Sequence, residues 1–452
     1  MAVFLDEKRR AFLFAVSWYA LFVAVPLGTR KIVWHFIPGF HEYETAFFYF
    51  HDLLFLVLIM CVAVCFRGEF WQFFRNFFAE KKTRLLLLLV ALSAVSLLSS
   101  AYFGLSLYVF FRLAKAIIFC ILGALLLRAG FISLRIIMLI LVCWGAGEAM
   151  LGMAQVAWGH DLGLWFLGES DLSFLAPGVS KIEIIGAKIL RAYGTFPHPN
   201  IYGAFLILSF GSALGLLFEN MKRCLQKERL ERIILAVAIF IIGLGIIFSF
   251  SRVAWGLAAL LFVLMVGHEL AQKNKKILIP AVAVSVIFFI TLFGLQALVV
   301  PRLSLSSREP SVIYRSAYNF SAIKSIVQNP SGVGIGAQVV TAVESGLYKS
   351  QGMNELWQWQ PIHNLYLLIA VELGLAAAFV FLIFVGMLLA EGYKYIFSEN
   401  NYGFFTCYLL LIACLLFGLT DHFFWTLEPG RLMFWGVVGI VMGPLFKEKK
   451  IS

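Results

Sequence analysis

One histidine opens an apolar run of the sequence and could act as a base. His363 precedes Asn364 and lies where a predicted external segment meets a predicted membrane span. Histidine is the side chain that most often accepts a proton near neutral pH. A histidine at this boundary can also cap a helix or anchor it at the interface, so position alone leaves both interpretations open.

Three arginines are predicted on the same side of the membrane as His363. Arg191 precedes the segment Ala-Tyr-Gly-Thr-Phe-Pro-His-Pro-Asn, Arg252 stands in a short turn between two apolar runs, and Arg315 follows Ser-Val-Ile-Tyr. A guanidinium group carries a permanent charge and a fork of N–H donors, which suits binding of a diphosphate. The alternative for each arginine is a simple interfacial anchor at the end of a span.

Three further motifs have simpler explanations. His198 stands between two prolines and is expected to orient its loop rather than to react. The glycine-rich segment 332–336 lacks the strand-then-helix setting of a nucleotide loop, so it predicts a tight turn whose amides could at most touch a phosphate. Glu42 and Glu44 share one face if the chain is extended, which could suit a metal, but solvated loop charge is the commoner reason for such a pair.

The composition indicates which elements position these residues. The chain has 452 residues, of which 62% are hydrophobic and 13% charged, and its mean hydropathy is +0.91. Soluble domains are about 45–50% apolar and about 25% charged, so the bilayer is the solvent for most of this chain. The net charge of +11 comes from short Lys and Arg clusters between apolar runs, which argues against a nucleic-acid-binding face.

The apolar runs predict a single all-α membrane domain, residues 1–452, with about twelve transmembrane helices. With the N-terminus in the cytoplasm, the internal segments carry 22 of the 36 Lys and Arg residues and the external segments carry 12. This excess satisfies the positive-inside rule, so both termini are expected in the cytoplasm. The internal segments are 1–10, 67–84, 128–135, 219–232, 269–276, 391–401 and 447–452.

Two of the predicted external segments are long enough to suggest a function. They are 159–199 and 301–362, and the second lies between spans nine and ten and contains short amphipathic helices. Long loops are uncommon unless they bind or catalyse, so the functional site is expected there.

Several ionisable residues fall inside the predicted spans, where each needs a partner or a wet cavity. Arg112 and Lys115 lie in the fourth span, Glu148 in the fifth and Glu372 in the tenth. At about 1.5 Å rise per residue, the last three lie at a similar depth. We therefore predict that Lys115 pairs with Glu148 or Glu372 and that Arg112 faces the donor cavity. Ion pairing between spans with no role in substrate binding is the alternative.

A succession of short motifs places these residues in a recognisable order. The segment Gly-Thr-Phe-Pro-His-Pro-Asn is followed by Ser251-Arg252, then by Asn-Pro-Ser-Gly-Val-Gly-Ile-Gly, and then by His363-Asn364-Leu-Tyr-Leu with a later Glu-Leu-Gly. Over about residues 185–380 this pattern resembles the O-antigen ligase and polymerase superfamily of envelope glycan enzymes. It is most similar to ligases of the lipopolysaccharide type.

The resemblance implies a GT-C-like glycosyltransferase of the bacterial inner membrane. Such an enzyme moves a glycan from an undecaprenyl-diphosphate carrier to an acceptor sugar, here most plausibly lipid A core, at the outer face. The implied transfer is inverting and uses no metal or other cofactor. His363 corresponds to the base that activates the acceptor hydroxyl, and Arg252 and Arg315 to the groups that bind the diphosphate. The further expected substrate contacts are Arg191, Arg112, His198 and Asn364.

Two other functions stay open at the level of the sequence. A polymerase that joins repeat units shares the same motifs. A transporter or flippase of lipid-linked glycan, which belongs to another class, also suits twelve spans with buried charges. A transporter predicts polar residues in both halves of the membrane, whereas here they gather on the external side. The expected partners are the lipid-linked donor, a glycan acceptor and membrane lipids, without nucleic acid.

Overall fold

The structure is a computed structural model of the chain, and it is mostly helical, with 75% helix. It describes residues 7–39, 41–65, 75–173, 178–184, 186–223, 229–303, 309–393 and 402–443. The predicted internal segment 447–452 lies outside the described residues. Parts of the internal segments 1–10, 67–84, 219–232 and 391–401, and of both long external segments, also lie outside them.

The described helices, in chain order, are α1 Glu7–Val23, α2 Phe50–Cys65, α3 Lys81–Val95, α4 Phe103–Arg128, α5 Leu134–Trp158, α6 Pro199–Arg223, α7 Arg229–Phe248, α8 Arg252–Ala271, α9 Leu278–Gly294, α10 Gln296–Leu303, α11 Pro310–Gln328, α12 Gln338–Glu344, α13 Leu347–Ser350, α14 Leu365–Leu373, α15 Leu375–Tyr393, α16 Tyr402–Gly418, α17 Phe423–Thr426 and α18 Glu428–Met442. Two antiparallel hairpins accompany them. They pair β1 Arg30–His35 with β2 Thr45–Tyr49, and β3 Lys181–Ile184 with β4 Ala187–Leu190.

Seven of the described helices are long and apolar enough to cross a membrane. They are α3 with the 3-10 turn that follows it, α4, α5, α6, α7, α8 and α15. The pair α9 and α10, which is bent by 88°, would be an eighth span if it counts as one. A described helix lies within each of the twelve predicted apolar runs. The predicted many-spanning helical architecture is therefore confirmed, and the count of twelve spans stays a prediction.

Two of the predicted spans are interrupted in the structure. The second predicted span starts with β2, because residues 45–49 pair with β1, and its helix begins at Phe50. The tenth span is divided into α14 and α15 at Gly374, whose φ of +86° lies in the region that favours glycine. Freed backbone groups at such a break need partners, since lipid offers none.

The glycine-rich segment supplies those partners and positions the start of α14. The amides of Val333 and Gly334 donate to the carbonyls of Val371 and Glu372 at 2.9 and 3.0 Å, and Leu375 donates to Pro330 at 3.0 Å. The segment has positive φ at each of its three glycines. The predicted tight turn is confirmed, and these two amides are occupied by protein carbonyls instead of phosphate.

The centre of the bundle is α6, which is buried along the whole of its apolar span. It packs against α5, α7, α8 and α16. Small residues allow these close approaches. A Cβ on Gly145 of α5 would lie 2.3 Å from Ser209, and one on Gly215 would lie 2.5 Å from Thr406 of α16. The start of α6 is thereby held beside the starts of α8 and α14, where the segments predicted to be external meet.

Candidate active site

A cavity of about 200 Å³ lies where the starts of α6, α8 and α14 meet α11. Its described lining includes four arginines and two histidines, namely Arg191, Arg252, Arg302, Arg315, His198 and His363. We call it the arginine cavity. It brings together five of the seven predicted site residues, although they come from segments far apart in the chain. Arg112 and Asn364 are not part of its lining.

His363 is held at the first turn of α14 by its neighbour. The Asn364 side chain accepts hydrogen bonds from the amides of Tyr366 and Leu367, both at 3.0 Å, which is a helix N-cap. Its amide nitrogen donates to the carbonyl of Leu419 at 3.2 Å, which ties α14 to the turn after α16. The structure thus places Asn364 as a residue that positions His363, outside the cavity lining.

The contacts of His363 identify which of its ring nitrogens is unprotonated. Its Nδ1 lies 2.9 Å from the carbonyl oxygen of Pro361, and because a carbonyl can only accept, Nδ1 carries the proton. The neutral ring then has an unprotonated Nε2. The ring of Tyr318 stacks on the imidazole at 5.0 Å, and the ring of His422 contacts it edge-on at 4.7 Å. Burial lowers the pKa of His363, partly opposed by Asp421 and reinforced by Arg315, so the ring is neutral at neutral pH.

The second histidine of the cavity has the opposite tautomer. Nδ1 of His198 accepts a hydrogen bond from the amide of Asn200 at 3.1 Å, so its neutral ring carries the proton on Nε2. Burial, reinforced by Arg191, lowers the pKa of His198 to about 3. His198 is therefore a neutral hydrogen-bond donor at Nε2, while His363 can accept a proton at the same nitrogen.

An aspartate and a third histidine stand behind His363. The Asp421 carboxylate accepts hydrogen bonds from Asn200 Nδ2 at 2.8 Å and from the amide of His422 at 2.9 Å. Burial alone would raise the pKa of Asp421, but His363, His422, His198 and Arg315 outweigh it and hold the pKa below its usual range. The sequence analysis missed both residues. Their position in a polar turn between two apolar runs on the external side was the available signal.

His363, Asp421 and His422 also form a candidate metal-binding group. One ligand atom from each lies within 4.8 Å of the others. Two imidazoles and a carboxylate can bind zinc or iron. However, bonds of about 2.0–2.2 Å would need the group to contract, and both Asp421 oxygens already accept hydrogen bonds. The predicted absence of a metal stays a prediction that a chelator can test.

Arg191 is buried and committed to protein partners. Its Nε donates to the carbonyl of Ser249 at 2.8 Å, its Nη1 to Ser180 Oγ at 3.0 Å, and its Nη2 to Asn200 Oδ1 at 2.9 Å. Burial, reinforced by the positive charge of Arg302, lowers the pKa of Arg191 to about 9, so the group stays charged near neutral pH. Through Asn200, Arg191 also helps to hold Asp421 in place.

Arg252, at the start of α8, and Arg302, at the end of α10, share the carboxylate of Glu309. Arg252 Nη2 donates to Glu309 Oε2 at 2.6 Å, and Arg302 Nη1 forms an ion pair with Glu309 Oε1. Arg302 Nε also donates to the carbonyl of Phe250 at 3.2 Å. Phe250 has a φ of +49°, which is uncommon for a residue other than glycine and often marks a functional site. The sequence analysis missed Arg302 and Glu309.

Arg315 projects from α11 into the arginine cavity. Its charge gives the cavity an excess of positive charge. Within the described residues, its guanidinium makes no hydrogen bond or direct ion pair. The four arginines of the described cavity face two carboxylates, Glu309 and Asp421, so the formal excess is two positive charges. A cavity of this kind concentrates anions, and a diphosphate is the anion that this number of forked donors fits best.

An apolar cavity of about 360 Å³ adjoins these arginines in sequence and space. Trp255, one turn after Arg252, and Leu303, next to Arg302, belong to its lining. The rest of its wall comes largely from apolar residues of α7, α8 and α9. The two cavities together match an amphiphile with an anionic head and an apolar tail.

The geometry agrees with a comparison against known families. Residues 237–382 match the family model described as O-antigen ligase, and this segment contains Arg252, Arg302, Arg315 and His363. This segment is an O-antigen ligase domain by that match, which supports the O-antigen ligase superfamily. Members of this superfamily carry out glycan transfer of the ligase or polymerase type between lipid-linked glycans and acceptors. The chain has no match among curated proteins.

The ion pairs between the helices differ from the sequence prediction. Lys115 pairs with Asp52 and Glu428, so the predicted pairing with Glu148 or Glu372 is wrong. Glu148 instead accepts hydrogen bonds from Thr195, and Glu372 accepts one from Trp425 Nε1 at 2.7 Å. The predicted depths did not determine which way each helix face points, and Asp52 of α2 was not considered.

Arg112 lies away from the arginine cavity. It pairs with Asp52 at 2.6 Å, donates to the carbonyl of Phe47, and lines a second cavity. The two loop glutamates considered for a metal are also separate from the arginine cavity. Glu42 pairs with Arg30, and Glu44 lies 3.5 Å from His41, in a 3-10 turn instead of an extended segment. Burial, with Glu344 nearby, raises the pKa of Glu44 to about 7.

Proposed function

We propose that this protein transfers a glycan from an undecaprenyl-diphosphate carrier to a hydroxyl of an acceptor glycan, most plausibly lipid A core, at the outer face of the bacterial inner membrane. His363 is the base, and Arg252 and Arg315 bind the diphosphate, with Arg191, Arg302 and His198 around them. The observation that carries the proposal is one cavity that holds an unprotonated imidazole nitrogen beside an excess of guanidinium charge.

The proposed reaction is a single displacement with inversion. The acceptor oxygen forms a bond to the anomeric carbon while its proton passes to Nε2 of His363. The bond from that carbon to the diphosphate oxygen breaks, and the electron pair leaves with the diphosphate. Negative charge grows on the leaving group, so fixed guanidinium groups lower the barrier more than they stabilise the ground state. The His198 Nε2–H can donate to the same oxygens.

One observation supports the proposed lipid carrier, and another supports the proposed side of the membrane. The apolar cavity next to Arg252 and Arg302 suits a polyprenyl chain that enters from the lipid. The excess of Lys and Arg in the predicted internal segments favours a cytoplasmic position for the opposite end of the bundle. We accordingly propose twelve spans in a GT-C-like arrangement, both termini inside, and the arginine cavity outside, where nucleotide donors are absent.

The proposed transfer needs no metal because the arginines already supply the positive charge. The His363, Asp421 and His422 group is the observation that favours a metal-dependent alternative. In that alternative, a divalent cation would occupy His363 and remove the base. Transfer that survives removal of divalent cations distinguishes the two.

The decisive assay uses purified protein in lipid nanodiscs with an undecaprenyl-diphosphate-linked glycan, with and without EDTA. Undecaprenyl diphosphate released only when acceptor is present supports the proposal. A lipopolysaccharide product identifies a ligase, and a lengthened lipid-linked glycan identifies a polymerase. Movement of the donor across the membrane without release of the carrier contradicts the proposal and identifies a transporter.

A further inference from the structure

A second cavity is linked to the arginine cavity through the rings of His422 and His363. Its lining includes Glu42 and Tyr43 of the first external segment, Tyr108 and Arg112 of α4, and Glu428 and Arg431 of α18. We call it the mixed-charge cavity. Its volume of about 50 Å³ is a quarter of that of the arginine cavity, so it admits part of one sugar-sized unit from its open side.

The charges around the mixed-charge cavity balance. Glu42 pairs with Arg30, and Arg112 and Lys115 share Asp52 and Glu428. Arg431 lies 3.6 Å from Glu428, and Glu372 completes the set. Four cations therefore face four carboxylates, in contrast to the arginine cavity. Balanced groups attract no net anion, but they offer fixed donors and acceptors to the hydroxyl groups of a neutral ligand.

Aromatic side chains form much of the remaining wall. Tyr43, Tyr49, Tyr108 and Trp425 belong to the lining. The hydroxyl of Tyr43 has no hydrogen-bond partner within the described residues. Sugar rings present C–H groups on their faces and hydroxyl groups at their edges, so flat aromatic faces combined with carboxylates and guanidinium groups match them.

The mixed-charge cavity is connected to the base by two ring contacts. Tyr43 contacts His422 edge-on with ring centres 5.6 Å apart, and His422 contacts His363 at 4.7 Å. Pro361, whose carbonyl accepts the proton of His363 Nδ1, also belongs to the lining. A ligand in this cavity is therefore separated from the His363 ring by His422, whereas His363 itself belongs to the lining of the arginine cavity.

We propose that the mixed-charge cavity is an acceptor subsite that binds a neutral sugar unit of the acceptor glycan. The inference rests on the proposed glycan transfer. An inverting displacement needs the attacking hydroxyl and the leaving diphosphate on opposite sides of the anomeric carbon, with the base beside the hydroxyl. The reacting hydroxyl therefore lies beside His363 Nε2 in the arginine cavity, and the mixed-charge cavity holds a neighbouring sugar unit of the same acceptor. The Tyr43 hydroxyl, which has no hydrogen-bond partner within the described residues, is the group that contacts the sugar.

The test compares Michaelis constants for the two substrates. O-antigen-free lipopolysaccharide serves as acceptor, or lipid-linked repeat units if the enzyme proves to be a polymerase. We expect Tyr43→Phe to raise the KM for the acceptor by about threefold to tenfold, as loss of one hydrogen bond predicts. The KM for the donor stays unchanged. Tyr43→Phe removes only a hydroxyl without a protein partner, so it should leave folding intact.

Two variants serve as matched controls. Tyr19→Phe removes a hydroxyl of α1 that hydrogen-bonds to the backbone of Ser133, outside both cavities, and should leave the KM for the acceptor unchanged. Glu183→Gln changes an exposed carboxylate of the β3–β4 hairpin and should change neither constant. If the wild type transfers glycan but Tyr43→Phe leaves the acceptor KM unchanged, or raises only the donor KM, the subsite is disproved while the proposed function stands. If the wild type shows no transfer to any acceptor, the proposed function fails instead.

Discussion

The two cavities beside the histidines use the same residue types in opposite ways. In the mixed-charge cavity, Arg112 has a carboxylate partner, and the cations are matched by carboxylates. In the arginine cavity, Arg315 makes no direct ion pair within the described residues, and the positive charge exceeds the negative by two. An ion pair that is already complete holds helices together, whereas an unmatched guanidinium is available to a substrate. The partner of an arginine therefore tells more about its role than its depth does.

The largest expected effect concerns the base in the arginine cavity. We predict that His363→Ala lowers the rate of transfer by about 10²–10⁴-fold while donor binding persists, because general base catalysis contributes about that much. Single-turnover assays with saturating donor measure it. His160→Ala, which changes an exposed histidine of another external segment, is the control. A His363→Ala enzyme with wild-type transfer would disprove the role assigned to His363.

A second prediction separates unmatched from matched arginines. Arg315→Ala should lower transfer by about 10²–10³-fold, the usual cost of removing one preplaced stabiliser of a developing negative charge. Arg315→Lys should also impair transfer, since an ammonium cannot reproduce the guanidinium fork. Thermal stability should be unchanged, because the described structure gives Arg315 no hydrogen bond or direct ion pair to lose.

The control for Arg315 lies on the same helix. Lys324→Ala removes an exposed cation of α11, so transfer should stay at the wild-type level. Equal losses in Arg315→Ala and Lys324→Ala would mean that the general positive potential matters, and not the position of Arg315.

The third prediction addresses the matched side. Asp52→Asn leaves Arg112 and Lys115 short of a carboxylate, and breaking such a buried pair costs about 3–5 kcal/mol. We expect a clearly lower melting temperature in detergent, with the affinity for undecaprenyl diphosphate unchanged. Asp171→Asn, at an exposed external position, is the control. Weaker binding of undecaprenyl diphosphate by Asp52→Asn at full stability would remove the contrast between the cavities.

The smallest expected effect is a shift in pH dependence. His363 must be neutral to accept a proton, and burial lowers its pKa below the ordinary 6.5. The value of kcat/KM should therefore stay constant from neutral pH down to the ordinary pKa of 6.5 and fall only at lower pH. Arg315 also lowers this pKa, so the residual activity of Arg315→Gln should show its acid limb at higher pH than the wild type. An unshifted limb would place Arg315 too far from His363.

The sequence predicted the parts of the site that lie at the ends of apolar runs. His363, Arg252 and Arg315 stand there, and topology alone places them on one side of the membrane. Arg302 stands beside Pro301 in a helix bent from its neighbour by 88°, a geometry that hydropathy does not specify. Asp421 and His422 reach His363 only because α16 brings a distant turn of the chain beside α14.

The errors have a common physical origin. Hydropathy and rise per residue give depth in the membrane, but ion pairing also depends on helix rotation and on which helices are neighbours. Lys115 was assigned to Glu148 or Glu372 by depth, whereas the packing of α4 against α18 and the position of α2 bring it to Glu428 and Asp52. The break at Gly374 was missed because residues on both sides of it are equally apolar.

The most direct test of the account is a single-turnover experiment on protein already loaded with undecaprenyl-diphosphate-linked glycan, in the presence of EDTA. On addition of acceptor, the wild type should release undecaprenyl diphosphate and form glycosylated acceptor in equal amounts. His363→Ala should retain the donor without releasing it. Release that requires a divalent cation, or equal release by His363→Ala, would contradict the proposed transfer by a histidine base and arginines.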